Sequence, residues 1–296
     1  MNTSIKLALG TVQFGCDYGV SNNQGQVSLQ EVNNILSLAT EVGITTLDTA
    51  SAYGNSEQAL GQSKLASQFN IVSKIPPLKE TDNQNEIDQF IEKSLTQLKV
   101  KQLDAVLFHQ VDNIIDPLNA TERFNALAEQ KILGKVKKIG ISVYTPAQLN
   151  YCCEHFKIDL VQLPLNVLDQ RFMQTKWLDK LANLNIEVHT RSAFLQGLLL
   201  MDHTQLDPYF TPHLKQLKKF TDSAKYYNVS PLALALAIGC QQQAVTKIVI
   251  GCCNTKQLQE IVDAYYIAVE FKEDLSVLAC TDEKLLLPNH WKLRNN

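Results

Sequence analysis

Short apolar runs, many of them rich in β-branched residues, recur along the chain with longer mixed segments between them. Most of these runs are continuously apolar rather than alternating, which is typical of parallel strands buried on both faces. Eight runs are present, at residues 6–10, 45–50, 70–75, 104–110, 137–142, 159–166, 187–194 and 247–252. The pattern therefore predicts eight parallel strands.

The segments between these runs mostly carry the period of amphipathic helices. In segment 27–43, four apolar residues recur on one helical stripe, and Gly43 stands where such a helix would end. The stripe consists of Val32, Ile35, Leu36 and Ala39. Thr145 and Ser230 each precede a proline, which is the arrangement of an N-cap followed by proline in the first turn.

Strands that alternate with helices indicate parallel βαβ units. Eight such units in 296 residues fit a closed α/β barrel, the (β/α)8 or TIM barrel, better than an open sheet. The sequence contains no linker and no low-complexity tract, so we expect a single domain over residues 1–296. The 45% of hydrophobic residues is ample for one large core.

The charge pattern limits the partners that the chain is expected to have. The formal net charge is −3, which does not favour a polyanion such as nucleic acid. The basic cluster of Lys215, Lys218 and Lys219 has helical spacing and is interpreted as a solvated helix face. No run reaches the roughly 18 apolar residues that span a bilayer, and the first residues do not resemble a signal peptide. We therefore expect a cytoplasmic protein without a membrane partner, and a monomer by default.

The seven cysteines do not suggest a disulfide framework or a metal site. Two pairs are directly adjacent, at 152–153 and 252–253, and no Cys-x-x-Cys motif occurs. A disulfide framework needs partners separated in sequence, and a zinc site needs ligands that converge tetrahedrally. The sequence predicts reduced thiols and no bound metal.

Polar residues stand at the ends of three consecutive predicted strands, where the active site of such a barrel lies. The second run carries Asp48, the third Lys74 and the fourth His109, and Tyr53 follows Asp48 closely. Each has an ordinary alternative: a turn cap, a lysine reaching solvent, a core histidine and a packed tyrosine. Together they favour proton-transfer chemistry, because a neighbouring ammonium group lowers the pKa of a tyrosine.

At these residues the chain resembles the aldo/keto reductase family. The segments LDTASAYG, VSKI and LFHQ, which contain Asp48, Tyr53, Lys74 and His109, resemble the four-residue active site of that family. Six further segments resemble the family in order along nearly the whole chain. They are LALGTVQFG (7–15), SEQALGQ (56–62), KKIGIS (137–142), VQLPLNVLDQR (161–171), RSAFLQGLL (191–199) and GCCNTKQLQEI (251–261).

The resemblance implies a role for each of the four catalytic candidates. Tyr53 would donate a proton to the carbonyl oxygen as hydride reaches the carbon, and would accept it in the oxidative direction. Lys74, paired with Asp48, would tune that tyrosine. His109 would hydrogen-bond the substrate carbonyl and orient it. Hydride transfer would be fast chiefly through positioning and a preset electrostatic environment.

The resemblance also implies a nicotinamide cofactor across the barrel mouth. The positions that align with the family's cofactor contacts are Gly10, Thr11, Ser142, Gln162, Arg191, Ser192, Gln196, Gly197, Cys253, Asn254, Gln257 and Glu260. Four positions depart from common relatives: Val143 replaces an asparagine, Arg191 a stacking aromatic, Cys253 a basic residue that pairs with the 2′-phosphate of NADPH, and Ile261 an asparagine. Lys256 is a candidate for the missing charge. The resemblance favours NADPH, with NADH left open.

Three hypotheses follow for the function. The first is an NAD(P)H-dependent oxidoreductase that reduces an aldehyde or ketone to the alcohol, with a small, sugar-like carbonyl compound as the hypothetical substrate. The second is a regulatory protein that senses bound nicotinamide with little turnover. The third, a lyase with Lys74 as a Schiff base, is disfavoured because Asp48 would keep that lysine charged. Substrate choice would lie with the mouth loops, at 11–30, 111–120, 200–215 and beyond 272.

Overall fold

A computed structural model describes residues 5–115 and 118–293, and in it the predicted barrel closes. All eight predicted strands are present, each pairs in parallel with the next, and the last pairs with the first. They are β1 (Leu7–Gly10), β2 (Thr46–Asp48), β3 (Asn70–Ile75), β4 (Leu103–Phe108), β5 (Val136–Ser142), β6 (Leu160–Pro164), β7 (Glu187–Arg191) and β8 (Val245–Gly251). The (β/α)8 fold class is confirmed. Residues 116 and 117 of the predicted loop 111–120 lie outside the described residues.

Helices connect the strands around the outside of the barrel. The α-helices are α1 (Val12–Gly15), α2 (Leu29–Glu41), α3 (Ser56–Gln62), α4 (Gln84–Leu98), α5 (Ala120–Ile132), α6 (Pro146–His155), α7 (Arg171–Gln174), α8 (Trp177–Asn183), α9 (Leu214–Tyr226), α10 (Pro231–Gln241), α11 (Thr255–Glu270) and α12 (Glu283–Leu286). Short 3₁₀ helices lie at Ala66–Gln68, Val111–Ile114, Leu195–Leu200, His203–Gln205, Pro208–His213, Ser276–Leu278 and Pro288–His290.

The helix signals in the sequence are confirmed. The predicted stripe of α2 is fully buried, and Gly43 follows the helix end with a φ of +82°. Thr145 caps α6 by accepting the backbone N–H of Gln148 over 3.2 Å, and Ser230 caps α10 by accepting that of Ala233 over 3.1 Å.

The predictions for the lysine cluster and for the cysteine thiols agree with the structure. The three lysines of the basic cluster are exposed on α9, and the seven cysteines are free. Within residues 5–115 and 118–293, no helix combines the length and the apolar character that a bilayer-crossing segment requires.

The barrel interior changes from apolar to polar along its axis. One buried cluster inside it is entirely apolar and consists of Val72, Ala105, Leu107 and Leu160. Because side chains alternate along a strand, the residues two positions further on face the same interior, one layer nearer the mouth. Two positions after Val72, Leu107 and Leu160, these residues are Lys74, His109 and Gln162. A polar layer at the C-terminal mouth therefore rests on an apolar floor.

Candidate active site

Asp48, the last residue of β2, and Lys74 of β3 form a buried ion pair. Lys74 Nζ lies 2.6 Å from Asp48 Oδ1 and also donates to the carbonyl of Thr49 over 2.9 Å. The second carboxylate oxygen of Asp48 accepts from Gln162 Nε2 over 2.7 Å. Burial lowers the pKa of Lys74, and the Asp48 carboxylate opposes that shift. Both charged groups are thus held in fixed positions at the mouth.

Tyr53 lies beside this ion pair in the turn between β2 and α3. Its ring centroid is 5.1 Å from Lys74 Nζ, and its ring packs edge-on against His109 with 5.5 Å between the ring centroids. The Tyr53 carbonyl accepts the N–H of Ser56 over 3.0 Å. Gly15 packs so closely that a Cβ there would lie 1.8 Å from that carbonyl oxygen. A side chain at position 15 would therefore displace Tyr53.

The ionisation of Tyr53 differs from the sequence-based expectation. Burial raises the pKa of Tyr53, the Asp48 carboxylate raises it further, and Arg191 opposes both. The expectation of a lowered pKa is wrong, because burial and the Asp48 carboxylate outweigh the neighbouring positive charge. Tyr53 consequently holds its proton at neutral pH, which is the form a proton donor needs.

His109 follows the end of β4 and faces the same space. Burial lowers its pKa to about 4, and the nearby charge of Lys74 contributes in the same direction. The imidazole is therefore neutral at physiological pH, with one ring nitrogen able to donate a hydrogen bond and the other able to accept one.

Gly10 and Thr11, at the end of β1, adjoin Asp48 through the backbone. Gly10 is the register partner of Asp48 in the β1–β2 pair. The backbone N–H and the hydroxyl of Thr11 both donate to the Asp48 carbonyl, over 2.9 Å and 3.1 Å. Ser56 Oγ donates in turn to the Thr11 carbonyl over 2.8 Å. These bonds connect the first strand to the ion pair.

The other side of the mouth is formed by β5, β6 and β7. Ser142, the last residue of β5, and Gln162 of β6 are buried register partners. Arg191, the last residue of β7, donates from Nη2 to the Val143 carbonyl over 3.1 Å. Its guanidinium lies over the ring of Tyr144, 4.2 Å from the ring centroid. The predicted residues Ser142, Gln162 and Arg191 are thus brought to one rim.

The segment after β7 has an unusual backbone. Ser192, Leu195 and Gln196 have φ values between +50° and +65°, and Gly197 has a φ of +91°. Left-handed conformations are unfavourable for non-glycine residues and cluster in segments that bind ligands. A Cβ at position 197 would lie 1.8 Å from Ser21 Oγ, so only glycine allows the loop after β1 to pack against this turn.

The predicted adenosine segment lies at the start of α11. Asn254 is the N-cap and accepts the N–H of Gln257 over 2.9 Å, while the Gln257 side chain accepts the N–H of Cys253 over 2.7 Å. Glu260 is exposed, with Oε1 3.9 Å from Lys256 Nζ. An open cleft of about 400 Å³ separates this start from the loop before α2. It is lined by Gln24, Gly25, Gln26, Val27, Ser28, Glu31, Cys253 and Asn254.

A buried acceptor between these segments lacks a partner. Gln13 Oε1 has no hydrogen-bond partner within the described part of the chain, and the Gln13 side chain packs against Gly251 at the end of β8. Buried polar atoms are normally satisfied by protein, water or ligand. The orphaned acceptor, the left-handed turn after β7 and the open cleft are three features that fit an extended polar cofactor.

Comparison with known proteins agrees with this arrangement. The family model described as the aldo/keto reductase family matches residues 6–276, which is nearly the whole chain. The chain belongs to the aldo/keto reductase family. Members of this family use nicotinamide cofactors, and the chain is an oxidoreductase of this carbonyl-reducing class.

Named relatives of this aldo/keto reductase include enzymes and solved structures. It is 26% identical over 243 residues to the oxidoreductase YdhF of Escherichia coli, covering 76% of this chain and 78% of the relative. It is 25% identical over 287 residues to the L-glyceraldehyde 3-phosphate reductase of E. coli, covering 83% and 82%. The holo form of the aldo-keto reductase AKR11C1 from Bacillus halodurans superposes with a TM-score of 0.75 at 20% identity, covering 93% of this chain and 92% of that one. The glycerol dehydrogenase AKR11B4 from Gluconobacter oxydans gives 0.71 at 20% identity, covering 98% and 94%.

Two residues at the mouth of this aldo/keto reductase were not predicted as site residues. Tyr144 lies directly beneath the guanidinium of Arg191, and Gln13 carries the orphaned acceptor. The sequence does contain a signal for Tyr144, since it stands two residues after Ser142 at the mouth end of β5. Gln13 has no such signal, because its location depends on how the loop after β1 folds over β8.

Proposed function

We propose that this aldo/keto reductase reduces an aldehyde or ketone to the alcohol with Tyr53 as general acid, and catalyses the reverse oxidation by the same groups. The observation that carries the proposal is the convergence of four side chains. Lys74 lies 2.6 Å from Asp48 and 5.1 Å from the Tyr53 ring, and His109 meets that ring edge-on.

The proposed proton transfer follows from the ionisation of these groups. Tyr53 holds a proton at neutral pH because burial and Asp48 raise its pKa. Its hydroxyl would give that proton to the carbonyl oxygen, and the nearby Lys74 ammonium would stabilise the tyrosinate that forms. Neutral His109 would donate a hydrogen bond to the same oxygen and orient the carbonyl. When bound, a nicotinamide cofactor would supply the hydride.

The residues proposed to hold that cofactor lie in or directly after β1, β5, β6, β7 and β8. The set runs from the ion pair to the start of α11 and comprises Gly10, Thr11, Ser142, Gln162, Arg191, Ser192, Gln196, Gly197, Cys253, Asn254, Gln257 and Glu260. Glu260 supports the proposal least, because it is exposed and lies near Lys256. Gln162 would orient Asp48 as well as contact the cofactor, since its amide nitrogen already donates to that carboxylate.

A small hydroxylated aldehyde is the substrate class that the mouth supports best. Tyr144 and Arg191 offer a polar rim, and Tyr18 lies within electrostatic range of both Tyr53 and Arg191. A guanidinium group binds oxygen-rich and anionic groups through several donors at once. The similarity to an L-glyceraldehyde 3-phosphate reductase points to the same class.

The test is oxidation of NADH and NADPH by the purified protein with glyceraldehyde, its 3-phosphate, hexanal and benzaldehyde. Tyr53→Phe is measured in parallel, with cofactor binding followed by calorimetry. We expect turnover that falls by roughly 10²- to 10⁴-fold in the variant, the range for loss of a general acid, while binding persists. Tight cofactor binding without turnover on any aldehyde would instead favour the sensor hypothesis. Turnover of hexanal and benzaldehyde alone would contradict the proposed substrate class.

A further inference from the structure

Glu31 makes a contact that its position in α2 does not predict. It stands three residues after the N-cap Ser28, the spacing of a capping box in which the carboxylate would bond the N-cap backbone. Ser28 Oγ does accept the N–H of Glu31, over 3.3 Å, but the carboxylate crosses to α11. Glu31 Oε1 accepts the N–H of Thr255 over 2.7 Å, and Oε2 accepts from Asn34 over 2.9 Å.

The start of α11 is therefore occupied by acceptors of the chain itself. Thr255 donates to Glu31, Cys253 donates to Gln257, and Gln257 donates to Asn254, each through its backbone N–H. A phosphate group at a helix start binds through such free backbone donors. These acceptors leave fewer backbone donors for a phosphate, whereas a hydroxyl group needs only an acceptor to donate to.

The charges around the cleft are also unfavourable for a phosphate. Hydrogen bonds from Thr255 and Asn34 lower the pKa of Glu31, so its carboxylate is ionised at neutral pH. At the other wall, burial raises the pKa of Cys253, and the negative charge of Asp17 contributes in the same direction. Lys256 has 86% of its side chain exposed, and its Nζ lies 3.9 Å from Glu260. The neighbouring Glu260 carboxylate partly offsets the charge of Lys256.

We infer that Glu31 makes this protein select NADH over NADPH. Its carboxylate would accept a hydrogen bond from the ribose 2′-hydroxyl of NADH, and would repel the 2′-phosphate of NADPH, which carries close to two negative charges. The inference rests on the proposed function, since it requires a nicotinamide dinucleotide with its adenosine at the start of α11. It reverses the preference for NADPH that the family resemblance favoured.

The experiment measures binding rather than turnover. NADH and NADPH, and the redox-inactive pair ADP-ribose and 2′-phospho-ADP-ribose, are titrated into the parent protein and Glu31→Gln by calorimetry. Glutamine keeps an oxygen that can accept the Thr255 N–H and removes only the charge. Glu41→Gln is the matched control, because it removes an exposed carboxylate from the other end of the same helix. Thermal melts of the free proteins establish that each variant is folded.

We expect the parent to bind NADH and ADP-ribose at least tenfold more tightly than their 2′-phosphorylated counterparts. In Glu31→Gln the ratio should fall to threefold or less, chiefly because the phosphorylated ligands bind more tightly, and Glu41→Gln should keep the parent ratio. A parent that binds NADPH as tightly as NADH, or a ratio unchanged in Glu31→Gln, overturns the inference alone. Binding of neither dinucleotide overturns the proposed function and this inference with it.

Discussion

Gln162 donates from Nε2 to Asp48 Oδ2 over 2.7 Å, across the interior of the barrel from β6 to β2. These strands are not neighbours in the sheet, so the bond is made by side chains alone. The other oxygen of Asp48 accepts from Lys74 over 2.6 Å. The carboxylate is therefore oriented from two sides. It holds the Lys74 ammonium 5.1 Å from the centroid of the Tyr53 ring, where the ammonium would stabilise the proposed tyrosinate.

Replacement of Lys74 by methionine should be strongly destabilising. Lys74→Met leaves Asp48 as a buried charge without its counter-ion, which typically costs about 3–5 kcal/mol of unfolding free energy. Urea unfolding at pH 7 measures the loss, and turnover should fall together with it because the tyrosinate loses its stabilising cation.

The double variant Lys74→Met/Asp48→Asn separates stability from activity. Methionine and asparagine are both neutral, so neither charge of the pair remains buried. The asparagine oxygen can still accept the hydrogen bond from Gln162. We expect most of the stability to return while turnover stays low. A single variant within about 1 kcal/mol of the parent would contradict a desolvated ion pair at this site.

Burial of neutral His109 should make stability depend on pH. The pKa of His109 is lowered to about 4 in the folded protein from an ordinary value near 6.5, so between these values the unfolded chain binds more protons. The unfolding free energy should therefore fall as the pH is lowered from about 6.5 to 4, by on the order of 3 kcal/mol from this group. Urea unfolding at several pH values measures it. His109→Gln should lose less stability over the same range, and an identical pH slope in both proteins would show that His109 is not buried in its neutral form.

Gly197 should be far less tolerant of a side chain than a glycine of similar conformation elsewhere. Gly134 has a φ of +74° with open space where a Cβ would lie, so Gly134→Ala should cost only the roughly 1–2 kcal/mol of a left-handed alanine. At Gly197, with a φ of +91°, the added Cβ would also meet Ser21 Oγ at 1.8 Å. We expect Gly197→Ala to lose more unfolding free energy than Gly134→Ala and to bind the cofactor more weakly.

The double variant Gly197→Ala/Ser21→Gly tests whether the contact with Ser21 is the cause. Removing the serine side chain should bring the loss of stability close to that of Gly134→Ala. If the double variant is no more stable than Gly197→Ala, the cost arises from the backbone conformation instead.

The parts of this structure that follow from local rules could be predicted from the sequence. The run 70–75 matches the observed β3, because short runs of this kind that alternate with helical segments are typical of strands in a parallel sheet. Thr145 and Ser230 are caps as predicted, because an N-cap depends only on the next few residues. The four catalytic candidates could be placed at one mouth because Asp48, Lys74 and His109 stand at or next to strand ends and Tyr53 follows Asp48 closely.

The parts that depend on contacts between distant side chains could not be predicted. The sequence suggested that Lys74 lowers the pKa of Tyr53, but the sign depends on burial and on the distance between Lys74 and Asp48. The capping spacing of Glu31 likewise gives no indication that its carboxylate reaches Thr255, which is 224 residues away in the chain. Such contacts are determined by rotamers and packing, which no local pattern encodes.

The apolar floor formed by Val72, Ala105, Leu107 and Leu160 fills the barrel interior beneath the polar layer, so that this layer is open only at the C-terminal mouth. We expect no path for water or ions through this apolar layer, so the proton that restores Tyr53 after each proposed cycle should arrive from the mouth, along the same route as substrate and product. The loops around that mouth would then control the rate of reprotonation as well as the choice of substrate. Changes in those loops can therefore alter both properties together while the barrel beneath remains the same.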